Sequence, residues 1–142
     1  MKLSVLTLAV LMSAAAVHAS TMFETTVFDR GEAGYAYYRI PAIVQAQDGT
    51  ILAFAEARRD SGSDFGNIDL VVKRSNDGGL TWSPIQIVAN NGSQEAGNPA
   101  PVVDQLTGNI IVAFTKDRTN PWVTTSTNNG LTWATPVDIT GQ

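Results

Sequence analysis

Short runs of β-branched, aromatic and other apolar residues follow one another along residues 39–140, each bounded by Gly, Asn, Asp or Pro. Runs this brief, with no 3.6-residue period, mark strands rather than amphipathic helices. The pattern predicts strands over Arg39–Ala46, Thr50–Glu56, Ile68–Arg74 and Ile85–Ala89. A second set of four follows over Ala100–Asp104, Asn109–Thr115, Trp122–Ser126 and Val137–Thr140. The expected class is all-β.

The two sets are copies of one unit. PAIVQAQDGTILAFAEA at 41–57 matches PAPVVDQLTGNIIVAFTK at 99–116 in order and character, and SNDGGLTW at 75–82 returns as STNNGLTW at 126–133. Four strands recurring at about 50 residues point to the blades of a β-propeller. The copies are unequal. Gly49 to Ser75 spans 26 positions and Gly108 to Ser126 only 18, so the first unit carries eight extra residues, within RRDSGSDFGN at 58–67. Varying a loop on a fixed frame is how a scaffold gains function, although loops also tolerate neutral insertions.

The repeated motif reads as a structural staple. Asn76-Asp77-Gly78-Gly79 is a tight-turn sequence, in which short polar side chains bond nearby amides and glycine accepts positive φ. Ser75 adds a second side-chain bond, Thr81 resumes extended chain, and Trp82 offers a large apolar face for packing. The second copy supplies Ser126, Asn128, Gly130, Thr132 and Trp133 at the same offsets. It differs in carrying Asn128 where the first has Asp77, which should weaken the turn slightly without breaking it.

Composition narrows the chemistry. The 142 residues contain no cysteine, and the single histidine is His18. The chain opens MKLSVLTLAVLMSAAAVHAS, a lysine followed by an uncharged apolar run and a small-residue ending, which reads as a secretory signal over residues 1–19. The mature chain would then be 20–142, exported and soluble: secreted, periplasmic or at the cell surface, with no membrane attachment after cleavage. It would have neither a Ser-His-Asp triad, a cysteine nucleophile nor an ordinary zinc site. Carboxylate, tyrosine and arginine remain for catalysis. Eight basic residues against thirteen acidic ones, after loss of Lys2, leave no basic patch for nucleic acid. No cofactor or metal is expected, since Asp77 and its neighbours lack EF-hand spacing. Asn91-Gly92-Ser93 is a glycosylation sequon by pattern only.

The motif S-x-D-x-G-x-T-W at Ser75–Trp82 resembles the Asp-box of bacterial exo-alpha-sialidases and related propellers, where it joins the third and fourth strands of a blade away from the active site. Tyr38-Arg39-Ile40-Pro41 is similar to the motif that opens the sialidase catalytic domain. An arginine before a proline presents a fixed fork of donors that suits a carboxylate, and the resemblance makes Arg39 one of three arginines on the carboxylate of sialic acid. AFAEARRDSGSDFGNIDLVVKRSNDGG resembles the family segment from second strand to first box. By that match Arg58 of Glu56-Ala57-Arg58 is a substrate-binding arginine and Asp64 is the acid/base. Asp60 and Asp69 compete for that role: Asp60 lies close to the strand end, and Asp69 matches a strand-start aspartate. In GNPAPVVD, the residue before the proline lines the pocket of relatives, so Asn98 either contacts substrate or caps the strand entry.

The resemblance implies a retaining exo-alpha-sialidase acting on sialylated glycans, in which a tyrosine nucleophile replaces the usual carboxylate. Asp64 would protonate the leaving oxygen and later deprotonate water. Tyr35, Tyr37 and Tyr38 do not match the nucleophile's position, and the family's tyrosine, its glutamate and two further arginines lie beyond the second box. Six blades of this size need about 300 residues, so the chain is expected to hold about two blades, to expose an unpaired face and to be inactive alone. Two other readings stand: a non-catalytic Asp-box propeller that binds carbohydrate or protein, and a related propeller hydrolase of neutral sugars. Arg39 together with Asp64 argues against the first, and an arginine cluster is of no use to the second.

Overall fold

The computed structural model describes residues 22–142; the signal reading at 1–19 lies outside them. Two four-stranded antiparallel sheets account for the fold. The first contains β1 (Tyr37–Gln45), β2 (Ile51–Arg58), β3 (Ile68–Ser75) and β4 (Gln86–Ala89), in that order across the sheet. The second repeats the order with β5 (Ala96–Val103), β6 (Ile110–Lys116), β7 (Asn120–Ser126) and β8 (Val137–Asp138). All eight expected strands are present, with shifted ends. β5 begins at Ala96 rather than Ala100, and β8 stops at Asp138, short of Thr140. One 3-10 turn, Glu32–Gly34, precedes β1.

Strand alternation decides which side chain faces what. On β2 the side chains of Leu52 and Phe54, and on β3 those of Leu70 and Val72, pack towards the second sheet with Ile110, Val112 and Phe114. The alternate residues Ala55, Ala57 and Val71 face the other way, against Phe28, Tyr35 and Tyr38 of the N-terminal segment and β1. β2 is therefore covered on both faces, and its apolar run has almost no polar alternation. Full burial of each Leu, Ile or Phe in the intersheet core is worth about 1.5–3 kcal/mol. The same alternation puts Glu56 and Arg58 on the face of Leu52 and Phe54, turned towards the second sheet.

Both sheets contain the same irregularity in their first strand. Register shifts between Arg39 and Ala42 in β1, and between Gly97 and Ala100 in β5. Each shift inserts one extra residue next to a proline, Pro41 or Pro99, which has no N–H to give the ladder. The residue before each proline is left-handed: Ile40 at φ 51° and Asn98 at φ 56°. Asparagine visits this region readily, whereas a β-branched residue there is strained. The bulges re-aim the chain where the two sheets meet.

The two box turns lie at the opposite end of the sheets. Ile51 pairs with Ser75 at one end of β2, and Arg58 with Ile68 at the other; seven residues of strand separate them, about 23 Å. In the first turn the Ser75 hydroxyl donates to Asp77 Oδ1 (2.7 Å) and accepts the Gly79 N–H (2.8 Å). Asp77 accepts the Thr81 N–H at 2.9 Å and its hydroxyl at 2.5 Å. In the second, Ser126 accepts the Gly130 N–H and Asn128 accepts the Thr132 N–H, both at 2.9 Å. The last bond is reversed: the Asn128 amide donates to the Thr132 hydroxyl at 2.8 Å. Asparagine thus keeps the count of bonds unchanged. Trp133 meets Phe54 edge-on at 5.8 Å, between the sheets. The Trp82 indole N–H reaches Thr25 at 3.4 Å, tying the N-terminal segment to the first turn.

Candidate active site

Arg39, Arg58, Asp64 and Asn98 line one cavity of about 280 Å³, with Ile40, Glu56, Glu95 and Arg118 completing its wall. The cavity lies where the two bulges meet. β1 supplies Arg39, the third residue of the strand rather than its first, and β2 supplies Arg58 from its last position. The segment 59–67 between β2 and β3 brings Asp64 back over both arginines. Its counterpart in the second sheet is only the turn 117–119.

Arg58 is the fixed element. Its side chain is 2% exposed, and its Nε and Nη2 bond one oxygen of Glu56 at 3.1 and 2.5 Å. The other Glu56 oxygen accepts the Asn98 backbone N–H at 2.9 Å. One buried carboxylate therefore holds an arginine of the first sheet and the left-handed bulge of the second. This leaves only Arg58 Nη1 directed at the loop, where it donates to Gly62 O at 2.6 Å and pairs with Asp64 Oδ1 at 2.7 Å. Arg39 is half exposed and repeats the pattern with its Nη1, to Gly62 O at 3.1 Å and the same Asp64 oxygen at 3.2 Å. Two guanidinium groups converge on one carboxylate oxygen.

Asp64 is itself largely exposed. Hydrogen bonding and charge from Arg58, with weaker help from Arg39 and Arg118, hold its carboxyl below its ordinary value. In this arrangement it is an ionised partner of arginine.

The competing aspartates sit elsewhere. Asp69 is fully buried and accepts from the Tyr35 hydroxyl, the Asn90 amide and Arg59; paired with Ala57, it lies on the face of the first sheet away from the cavity. Asp60 does not line the cavity either. No tyrosine lines it. The Tyr35 hydroxyl is bound to Asp69 and burial raises its value, and Tyr38 donates to Glu32 O and is pushed by burial to about 12. Asn98 does not cap a strand entry: it lies within β5, with its amide on the Thr115 hydroxyl at 2.9 Å.

Two lining residues, Glu95 and Arg118, had no part in the motif reading. Glu95 lies just before β5 and is 5% exposed; burial pushes its carboxyl up. It accepts the Arg118 backbone N–H at 2.5 Å and the Thr115 hydroxyl at 3.2 Å, fixing the 117–119 turn. Arg118 in turn lays its guanidinium 4.1 Å over the ring of Phe65, next to Asp64. Ile40 is the bulge residue itself. The repeat held a signal for Arg118, since 117–119 is the short counterpart of the 59–67 loop. Glu95 had none. Among the described residues no group of three or more His, Cys, Asp or Glu side chains could hold a metal ion.

Two bulged four-stranded sheets, each closed by a Ser/Asp- or Ser/Asn-bonded turn, are blades of the BNR-repeat type. The BNR repeat-like domain family matches residues 49–142. The exo-alpha-sialidase of Arthroderma benhamiae is 38% identical over 138 residues, covering 75% of this chain and 34% of that protein. That of Aspergillus fumigatus is 36% identical, covering 77% of this chain and 35% of that protein. A solved Hadza microbial sialidase superposes with a TM-score of 0.72 at 28% identity, over 80% of this chain and 28% of that one. The chain belongs to the BNR-repeat sialidase family, and it spans about a third of the length of the curated relatives it matches.

Proposed function

We propose that the protein carrying this chain is an exo-alpha-sialidase that removes terminal sialic acid from glycans with retention. The observation that carries this reading is the convergence of Arg39 and Arg58 on one carboxylate oxygen inside a cavity also lined by Asn98. A sugar with a carboxylate on its anomeric carbon calls for a guanidinium such as that of Arg39, and a neutral glycoside does not. Asp64 acts as acid and then base, Arg39 grips the substrate carboxylate, and Arg58 and Asn98 bind polar groups of the sugar. The tyrosine nucleophile and its glutamate partner belong to the remainder of the propeller that the relatives' length implies. Export through residues 1–19 would bring the enzyme to extracellular glycans.

The test is Asp64→Ala in the whole protein, assayed on a fluorogenic sialoside and on neutral glycosides. Turnover of the sialoside should fall by about 10²–10⁴-fold, the usual share of a general acid/base. Undiminished turnover would assign the proton to another group, and cleavage of neutral glycosides alone would refute the sialidase reading.

A further inference from the structure

The guanidinium groups suited to an anionic substrate already hold a carboxylate, and it belongs to the residue that must later give up a proton. Arg39 Nη1 and Arg58 Nη1 both reach Asp64 Oδ1. The remaining donors of Arg58 are committed to buried Glu56. A sugar that enters with its carboxylate on Arg39 and a polar group on Arg58 therefore competes with Asp64 for the same two guanidinium groups. A carboxylate gripped by two cations is also the wrong form for a general acid, which has to arrive protonated.

We propose that Asp64 is a stand-in for the substrate's carboxylate, and that an anionic sugar arriving on Arg39 and Arg58 displaces it and so prepares it as the acid. The inference rests on the sialidase reading above. Once displaced, Asp64 loses its two nearest positive partners and faces the incoming carboxylate, with Glu56 and Glu95 behind it on the cavity wall. Arg118, held over Phe65, is the one lining cation left to it. Arg58 is already offset by Glu56, and Arg39 is then offset by the incoming carboxylate. Only Arg118 is left to Asp64, against buried Glu95, and this balance favours uptake of a proton from solvent. That proton then passes to the glycosidic oxygen as its bond to the anomeric carbon breaks, which returns Asp64 to the carboxylate form. Specificity follows from the same exchange: a neutral sugar of equal size fits the cavity but leaves the acid locked on the arginines.

The loop is built for such a movement. Asp64 is exposed, and within its segment the Ser63 N–H and Phe65 N–H bond only to the side chains of Ser61 and Ser63. The anchor beyond it is the stacking of Phe65 against Arg118, a contact that can act as a pivot.

The experiment is calorimetric binding of N-acetylneuraminic acid to the whole protein at low salt, in buffers of different ionisation enthalpy. The native protein should take up close to one proton per ligand, and its affinity should weaken as pH rises. Asp64→Asn and Asp64→Ala should each bind roughly twofold to fivefold tighter, the hold of an exposed ion pair of ordinary strength, with proton uptake lost. Weaker binding by both variants, or proton-neutral binding by the native protein, overturns the exchange and leaves the sialidase reading standing. Failure of the native protein to bind the sugar at all sinks that reading, and the exchange with it.

Discussion

The two sheets share a strand order, a proline bulge and a stapled turn, and they differ at the end remote from the turn. The first sheet carries nine residues, 59–67, between its second and third strands, and the second carries three, 117–119. The longer segment delivers Asp64 to two arginines, while the shorter one contributes Arg118 to the far wall. At the turn end the copies are interchangeable in bonding, down to an asparagine that reverses one donor. Repetition marks the frame here, and departure from it marks the chemistry. The frame still reaches into the site, because the bulge that recurs in both sheets places Ile40 and Asn98 on the cavity wall.

The largest expected effect is at the point where frame and site share one group. Glu56→Ala leaves Arg58, 2% exposed, without its buried partner and removes the acceptor of the Asn98 N–H. Truncating one member of a buried pair costs about 3–5 kcal/mol, which thermal unfolding of the whole protein would register as a large drop in Tm. Glu56→Gln keeps an acceptor for Asn98 and should recover part of that loss. If Glu56→Ala unfolded like the native protein, Asp64 and Gly62 O would suffice to hold Arg58 and the cavity would not depend on this carboxylate.

Next come two glycines, one at each end. A Cβ on Gly97 would lie 2.5 Å from carboxylate oxygens of both Glu56 and Glu95. A Cβ on Gly130, at φ 78°, would run into Leu52 of the first sheet. Both alanine variants should destabilise by about 1–3 kcal/mol, as overpacking does. The comparison sharpens in their kinetics: Gly97→Ala displaces two cavity carboxylates and should raise KM, whereas Gly130→Ala, which meets β2 at Leu52, four residues and about 13 Å of strand from Glu56, should leave KM alone. Equal KM effects would show that the two ends are coupled.

Much of this was legible from residues. Alternation and turn chemistry located all eight strands because the β-branched runs are short and sharply bounded. The unequal spacing of two copies located the loop that carries Asp64. Glu95 was not legible, because its role depends on β5 starting four residues earlier than the apolar pattern suggests and on a parallel bridge to Ile68. Glu56 was visible only as part of the segment around Arg58. Nothing local says that a strand glutamate will bond across two sheets to the N–H of a left-handed asparagine. The clamping of Asp64 by both arginines was also hidden, since it depends on how an irregular loop folds back.

The smallest effect separates the two turns by pH. Three donors, the Thr81 hydroxyl first, then the Thr81 N–H and the Ser75 hydroxyl, lower Asp77 from its ordinary 3.8 to about 2. A carboxylate whose folded value is depressed stabilises the fold above its unfolded value and loses that contribution as pH falls through the folded one. The first turn should therefore weaken between roughly pH 4 and pH 2, while the second, with neutral Asn128, should not. Asp77→Asn should lower Tm slightly at neutral pH, because the amide keeps the bonds, as Asn128 does, but not the hold of the charged form, and it should remove this part of the acid sensitivity. Asn128→Asp should add the same sensitivity to the second turn. Acid melting curves of the two variants that bend in the same direction would mean that the staples are not equivalent, and that the asparagine answers to a neighbour outside its own turn.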